Sequence, residues 1–502
     1  MAKNMNRRDF LKGAAVSALG MATLGAMPMA AAAEEAWDIE TEVLVVGAGG
    51  AGVSAAAEAA AAGAKVLILE KAGIAGGTTN LSGGVMQAAG TRFQKEFTSY
   101  QDDTPEKHAA LWIKAGEGLV DEELVTDLAN GAPEHIHWLA DTCGIKWTSL
   151  YGHCHIPYVA DELHADRIHV YEGGGAAGSG GIFVQAVLNY AKEKGAEITF
   201  NAEVTKLVMD GKKVVGVEAM IDKKPVRVKA TKGVILCTAS IDQNKEMAKK
   251  LSPQQYYDLN NGVCMSVGTD TGDGIRMGME IGADVMGFGG TIDFCGKTGA
   301  ATDNRVPYLA GFIVNQKGMR FVCEDATYAY HYRAIYQQSV QLDGATYMIF
   351  GKSSIDEGAA WTAESAEAEV ASGALYYGET IEELAAAIGV PAANLKMQLD
   401  LWNANAEAGE DAQFGRKTGV RPVSGPFYAY KNVAFNLGAL GGLKINKDTQ
   451  VIDVNGEVIP NLYAAGLNAG GWIGPYYPGS GTAVVGTVHW GRKAGAHAAK
   501  NV

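Results

Sequence analysis

Residues 321–333 read FVCEDATYAYHYR, and three tyrosines, Tyr328, Tyr330 and Tyr332, fall at alternate positions within them. A phenol with a pKa near ~10 can pass a proton to carbon, and it can donate a hydrogen bond to an oxygen on which charge builds. The same spacing also suits aromatic side chains that only fill a core. A second stretch with chemical capacity is GHCHIPYVADELHADRIH, residues 152–169, which holds His153, Cys154, His155, His164 and His169. Imidazole and thiol groups this dense can ligate a metal. Their spacing matches no standard site, and no metal is expected.

Such groups act only when a scaffold presents them to a ligand. Residues 42–71 read EVLVVGAGGAGVSAAAEAAAAGAKVLILEK. Val43–Val46 is an apolar run suited to a buried parallel strand. Gly47, Gly49 and Gly52 follow in G-x-G-x-x-G spacing and open an alanine-rich helix; a second apolar run, Val66–Leu69, ends at Glu70. Gly47 makes the tight turn, Gly49 lets a pyrophosphate approach the backbone, and Gly52 packs helix on strand. The helix N-terminus stabilises phosphate charge, and Glu70 is placed to accept ribose hydroxyls.

The chain has 502 residues, 47% hydrophobic and 20% charged, which is a globular composition with room for two or three domains. Its 65 glycines cluster in short loops, where backbone can approach a large ligand. Arg7 and Arg8 precede a mildly apolar, alanine-rich run that ends at Ala31-Ala32-Ala33. This is similar to a twin-arginine export signal, with cleavage expected near Ala33. The run is poor in large apolar residues, and no stable membrane span is expected. The formal charge is −14, and removing residues 1–33 makes the chain more acidic still, so nucleic acid is excluded as a partner. None of the six cysteines forms C-x-x-C or the C-x-x-C-H of covalent haem.

Residues 76–84, GGTTNLSGG, together with TGDGIRMGMEIGA (271–283), NLYAAG (461–466) and GSGTAVVGTVHWGRKAG (479–495), resemble the FAD-dependent fumarate reductase/succinate dehydrogenase flavoprotein superfamily. The resemblance covers about residues 40–502. It implies an α/β fold, with a doubly wound, Rossmann-like FAD-binding domain over 38–284 and 436–502. Residues 285–435 would form an inserted α+β capping domain, and residues 1–33 the signal. It further implies cofactor contacts at Ala51, Thr78, Gly83, Gly84, Val204, Asp273, Ala483 and Val484, beside Gly47, Gly49, Gly52 and Glu70. Two departures stand out: Thr238-Ala239-Ser240 replaces a glycine-containing turn, and Leu467-Asn468 stands where fumarate reductases have a glutamate.

The resemblance also bears on the tyrosines. In N-x-x-G-x-R-F-x-x-E-x-x-x-R, the fumarate reductase pattern, the last arginine donates the proton; here Asn315 to Glu324 match and Tyr328 stands in its place. Histidines and an arginine that would bind a dicarboxylate are missing around NLGALGGLKIN (436–446) and GPYYPGSG (474–481), so fumarate is not the expected substrate. These segments are closer to the 3-ketosteroid dehydrogenase branch. That likeness implies a substrate carbonyl held by the Tyr477 hydroxyl and the Gly481 N–H, and a proton moved by Tyr328. Tyr330 and Tyr332 are expected to be pocket wall or core. Tyr151 and Tyr158 are candidates for a further active-site tyrosine, and the 152–169 stretch would lie near the substrate entrance.

The expected function is that of an exported, extracytoplasmic FAD enzyme. It would reduce a C=C bond conjugated to a neutral carbonyl, such as a steroid or plant phenolic enone. Electrons would come from a separate donor protein, a cytochrome or a flavoprotein. The alternatives are a 3-ketosteroid dehydrogenase working oxidatively and a non-enzymatic flavoprotein electron relay.

Overall fold

The computed structural model describes residues 36–152, 155–296, 309–358, 360–474 and 477–501. The signal segment, its cleavage site, His153 and Cys154 lie outside the described residues. The chain begins with β1 (Ile39–Val46), α1 (Gly50–Ala61) and β2 (Val66–Leu69), the strand–turn–helix–strand order that the glycine spacing predicts. β3 (Glu197–Thr199), β4 (Ala202–Asp210), β5 (Lys213–Ile221) and β6 (Lys224–Leu236) follow.

Next come β7 (Thr291–Gly296), β8 (Gly311–Val314), α2 (Tyr328–Leu342), β9 (Tyr347–Gly351) and β10 (Tyr376–Gly378). The chain closes with β11 (Phe427–Lys431), β12 (Val433–Ala439), β13 (Gln450–Ile452), β14 (Val458–Ala464) and α3 (Thr482–Lys500).

The main sheet runs β13-β14-β6-β1-β2-β3, with β4 and β5 attached through β6. β14, β6, β1, β2 and β3 pair in parallel. Val43 to Val46 sit at its centre and are buried, as a strand covered on both faces requires. α3 lies against α1 backbone to backbone: a Cβ at Gly491 would stand 2.4 Å from the Ala51 carbonyl oxygen, and one at Gly495 2.2 Å from that of Ala55. The C-terminal helix is thereby seated on the helix that opens the glycine turn. The fold is mixed α/β, as expected.

A second, antiparallel sheet, β8-β9-β11-β10, lies in the middle of the chain. Its strands alternate strictly. Ile313, Met348, Phe350 and Tyr430 face one buried cluster, and Phe312, Val314, Ile349 and Ala429 face another. Helices Ile381–Ile388 and Ala392–Ala408 supply the second cluster, both in segments whose apolar spacing predicts helix. β7 and β12, at the two ends of this stretch, pair antiparallel with Gly296 opposite Val433. On this arrangement we propose residues 285–435 as the capping domain.

Candidate active site

One elongated cavity runs along the C-terminal edge of β1 and β2 to the start of α3. Gly47, Gly49, Ala51, Glu70, Thr78, Gly83, Gly84, Val204, Asp273, Ala483 and Val484 all line it. Gly52 does not. It stands behind the turn, where a Cβ would come within 1.9 Å of the Gly47 carbonyl oxygen. Its role is helix-on-strand contact and not ligand contact.

The residues present fit FAD. At Gly49, which lines the cavity, a Cβ would meet only the Gly76 carbonyl oxygen and the Thr79 hydroxyl, at 3.7 and 4.0 Å. The Glu70 carboxylate is buried and fixed, accepting from the Ala48 N–H at 2.7 Å and the Ala72 N–H at 2.8 Å. Each oxygen retains lone-pair capacity for a ribose hydroxyl. The Gly50 N–H donates to Thr79 Oγ1 at 3.1 Å, which ties the first turn of α1 to the 76–84 loop.

The departure at 238–240 has a physical resolution. Ala239 takes a left-handed φ of 57°, the conformation glycine would favour. Its carbonyl accepts from Asn468 Nδ2 at 3.0 Å, and Thr238 Oγ1 accepts from the Gly274 N–H at 2.9 Å. Asn468, one of the two residues at the other departure, therefore braces the turn at the first. Asn244 caps the next helix by accepting from the Met247 N–H.

At the α3 end, Tyr328, Tyr477 and Gly481 line the same cavity. Gly481 is the N-cap of α3, with φ 91°. The Ala483 N–H donates to the Tyr477 hydroxyl oxygen at 2.8 Å, and Ser480 Oγ donates to the Tyr328 hydroxyl at 3.2 Å. Tyr328 opens α2, and its ring stacks on Phe294 at 3.9 Å between centroids. The segment leading to it is locked by buried ion pairs. The Arg320 guanidinium binds Glu324 and Asp411, and Glu324 also accepts from the Ile313 N–H at 2.9 Å. The R-F-x-x-E part of the signature thus holds the strand that delivers the tyrosine.

The helical period separates the three tyrosines. Tyr332, one turn after Tyr328, is buried and donates its hydroxyl to Asp258 Oδ1 at 2.7 Å. Tyr330 packs against Tyr158, with ring centroids 6.0 Å apart. Tyr151 lines the cavity, whereas the Tyr158 hydroxyl reaches Glu117 at 3.2 Å, away from it.

Sequence reasoning missed several lining residues. Among the described residues of the wall, Lys71 is the one cation, and its ammonium is held by Asp273 at 2.5 Å and Thr271 at 3.1 Å. It follows Glu70 directly, so its proximity to the cofactor segment was available from the sequence. Asp242 and Asp270 also line the wall. Burial raises Asp242 to about 6 and Asp270 to about 8, with the nearby Asp242 charge adding to the latter shift. No local spacing announces either one.

A family model described as an FAD binding domain matches residues 42–484, and the twin-arginine translocation pathway signal sequence matches residues 4–27. The digoxin reductase of Eggerthella lenta is 30% identical over 99% of this chain and 97% of its own length. The urocanate reductase of the same organism is 33% identical over 93% of this chain and 76% of its own. Among solved structures, the 3-ketosteroid-delta4-(5alpha)-dehydrogenase of Rhodococcus jostii RHA1, in complex with 4-androstene-3,17-dione, matches with a TM-score of 0.79 at 30% identity. That match covers 94% of this chain and 99% of the dehydrogenase. The signal directs twin-arginine export, and no helix among the described residues is long and apolar enough to cross a membrane. The chain belongs to the FAD binding domain family, and it is an FAD-dependent oxidoreductase acting on carbon–carbon bonds, akin to fumarate reductases and 3-ketosteroid dehydrogenases.

Proposed function

We propose that this enzyme reduces a C=C bond conjugated to a neutral carbonyl, with electrons delivered by a separate respiratory carrier. One observation carries the reading. The cavity end that holds Tyr328 and Tyr477 has no arginine, lysine or histidine among its described lining residues. A dicarboxylate buried there would leave charge without a partner, at a cost of several kcal/mol. A neutral enone needs only hydrogen-bond donors.

FAD, when bound and reduced, supplies the hydride that adds to the β-carbon. The chain's own residues do the rest. The Tyr477 hydroxyl and the Gly481 N–H receive the carbonyl oxygen and stabilise the enolate charge that builds on it. Accepting the Ala483 N–H polarises the Tyr477 hydroxyl toward donation. Tyr328 gives its proton to the α-carbon, and the Ser480 hydroxyl steadies the phenolate that remains. Hydride and proton together saturate the bond. The aromatic wall of Phe294, Phe435 and Tyr151 suits a flat, apolar substrate, of the steroid or plant phenolic kind. The relatives named for digoxin and a ketosteroid support this substrate class.

The same residues run in reverse would dehydrogenate a saturated ketone, which is the oxidative reading that the ketosteroid dehydrogenase favours. Anaerobic reoxidation of the reduced, purified enzyme by a panel of alkenes tests the proposal. Neutral enones should reoxidise it and fumarate should not. Reoxidation by fumarate or urocanate as fast as by the best neutral enone overturns it.

A further inference from the structure

The histidine-rich stretch matches no metal site by its own spacing, but the fold brings it residues from far along the chain. His155, Cys323 and Asp325 each place one ligand atom within 4.8 Å of the other two. Cys323 Sγ stands 3.0 Å from Asp325 Oδ1, and His155 Nε2 stands 3.8 Å from the same oxygen. The thiol and the carboxylate are buried. His155 Nε2 is shut from solvent and has no hydrogen-bond partner, a condition that costs stability as it stands. A second group extends from the same ring: His155, Asp161 and His164 also bring ligand atoms within 4.8 Å of one another. His164 Nδ1 is likewise buried and unpartnered.

We propose that His155, Cys323 and Asp325 bind a divalent cation of the zinc class, as a structural site distinct from the catalytic cavity. Ligand atoms about 2.0–2.3 Å from a common tetrahedral centre lie roughly 3.3–3.8 Å from each other, so small side-chain adjustments close the site. A thiolate in the set selects zinc-like ions over magnesium or calcium. On binding, the Cys323 thiol releases its proton to water and the sulfur lone pair bonds the ion; no electron changes hands. Water or His164 takes the fourth position. Asp102, Asp161 and Glu162 line a surface cavity at His164, an acidic approach that concentrates cations, with Lys107 the one lysine or arginine among its described lining residues.

The site has a consequence for the tyrosine segment. The Thr327 N–H donates to the His155 carbonyl at 2.8 Å, and Thr327 directly precedes Tyr328. None of the three ligands lines the cavity. A cation there clasps the 155–164 loop to the chain that carries Tyr328, so its role is positioning.

The test uses untagged, FAD-loaded enzyme, stripped with a chelator and titrated anaerobically with Co²⁺. The expected result is one Co²⁺ per chain, with the d–d bands of a tetrahedral site and a thiolate-to-cobalt charge-transfer band. Cys323→Ser should lose the charge-transfer band and His155→Gln should lose stoichiometric binding, while Cys143→Ser keeps both. FAD content reports folding of each variant; if Cys323→Ser fails to retain FAD, His155→Gln decides. Failure of the wild-type chain to retain Co²⁺ overturns the proposal, as does a thiolate band that survives Cys323→Ser or binding that survives His155→Gln.

Discussion

Tyr328 and Tyr477 stand with ring centroids 6.2 Å apart, and both hydroxyls are tied to one short turn of chain. Ser480 donates to the first and the Ala483 N–H to the second. The turn that starts α3 therefore sets both phenols at once. A substrate held by one is held in fixed relation to the other, which is what a paired oxyanion donor and proton donor require.

Tyr328→Phe removes the proposed proton and keeps the ring stacked on Phe294. FAD should remain bound while turnover falls about 10²–10⁴-fold, the usual size of a general acid's contribution. Tyr330→Phe serves as a control in the same helix and should leave turnover near wild type. Stopped-flow reoxidation of the reduced variants separates the two, and equal small effects would return Tyr328 to a packing role.

Tyr332→Phe should behave differently from both. It strips a buried carboxylate, Asp258, of its phenol donor, and an unsatisfied buried acceptor costs about 1–3 kcal/mol. The expected signature is a lower Tm with kcat largely kept, measured by thermal unfolding of the FAD-loaded protein.

Tyr477→Phe loses one oxyanion donor and should lower kcat by about 10²–10³-fold. KM should change less, because the charge it stabilises exists fully only in the transition state. A variant with raised KM and intact kcat would show that Tyr477 merely binds.

Stability should pass through a maximum near neutral-to-acid pH. His169, His331 and His489 are buried and held at about 4, so their folded pKa lies below the unfolded value of ~6.5. Stability from them is present above ~6.5 and is lost as pH falls toward 4. Asp242 and Asp258 are raised by burial to about 6, and Asp270 to about 8. Their contribution is present below ~3.9 and is lost as pH rises through 6 to 8. Tm should therefore decline on both sides of about pH 6.5, and Asp270→Asn should flatten the limb between ~6.5 and 8. An unchanged slope over that range in the variant would remove Asp270 from the account.

The nucleotide half was legible because its information is local. Strand, three glycines, helix, strand and Glu70 follow within thirty residues of sequence, and each residue's role comes from its neighbours. Tyr328, Tyr477 and Gly481 were legible only through motifs carried by resemblance, since no spacing links residues that far apart. What stayed hidden was tertiary. The Asn468 brace on Ala239, the Tyr332–Asp258 bond and the meeting of His155 with Cys323 all join segments whose approach is decided by how the sheets pack. Gly52 shows how local that information is: it belongs to the glycine motif, and it faces the turn's own backbone, the helix-on-strand contact its position predicts.

β7 and β12 put the two ends of the middle segment side by side, with Gly296 opposite Val433. A piece of chain that leaves and returns at one hydrogen-bonded pair is a cassette: it can be exchanged without re-threading the sheet that cradles the flavin. The cassette carries Tyr328, while Tyr477 stays with the flavin half. Any such exchange would replace the proposed acid and keep the proposed oxyanion donor together with Phe294, Phe435 and Tyr151 of the wall, so the proton donor can change while the machinery that delivers electrons is left alone.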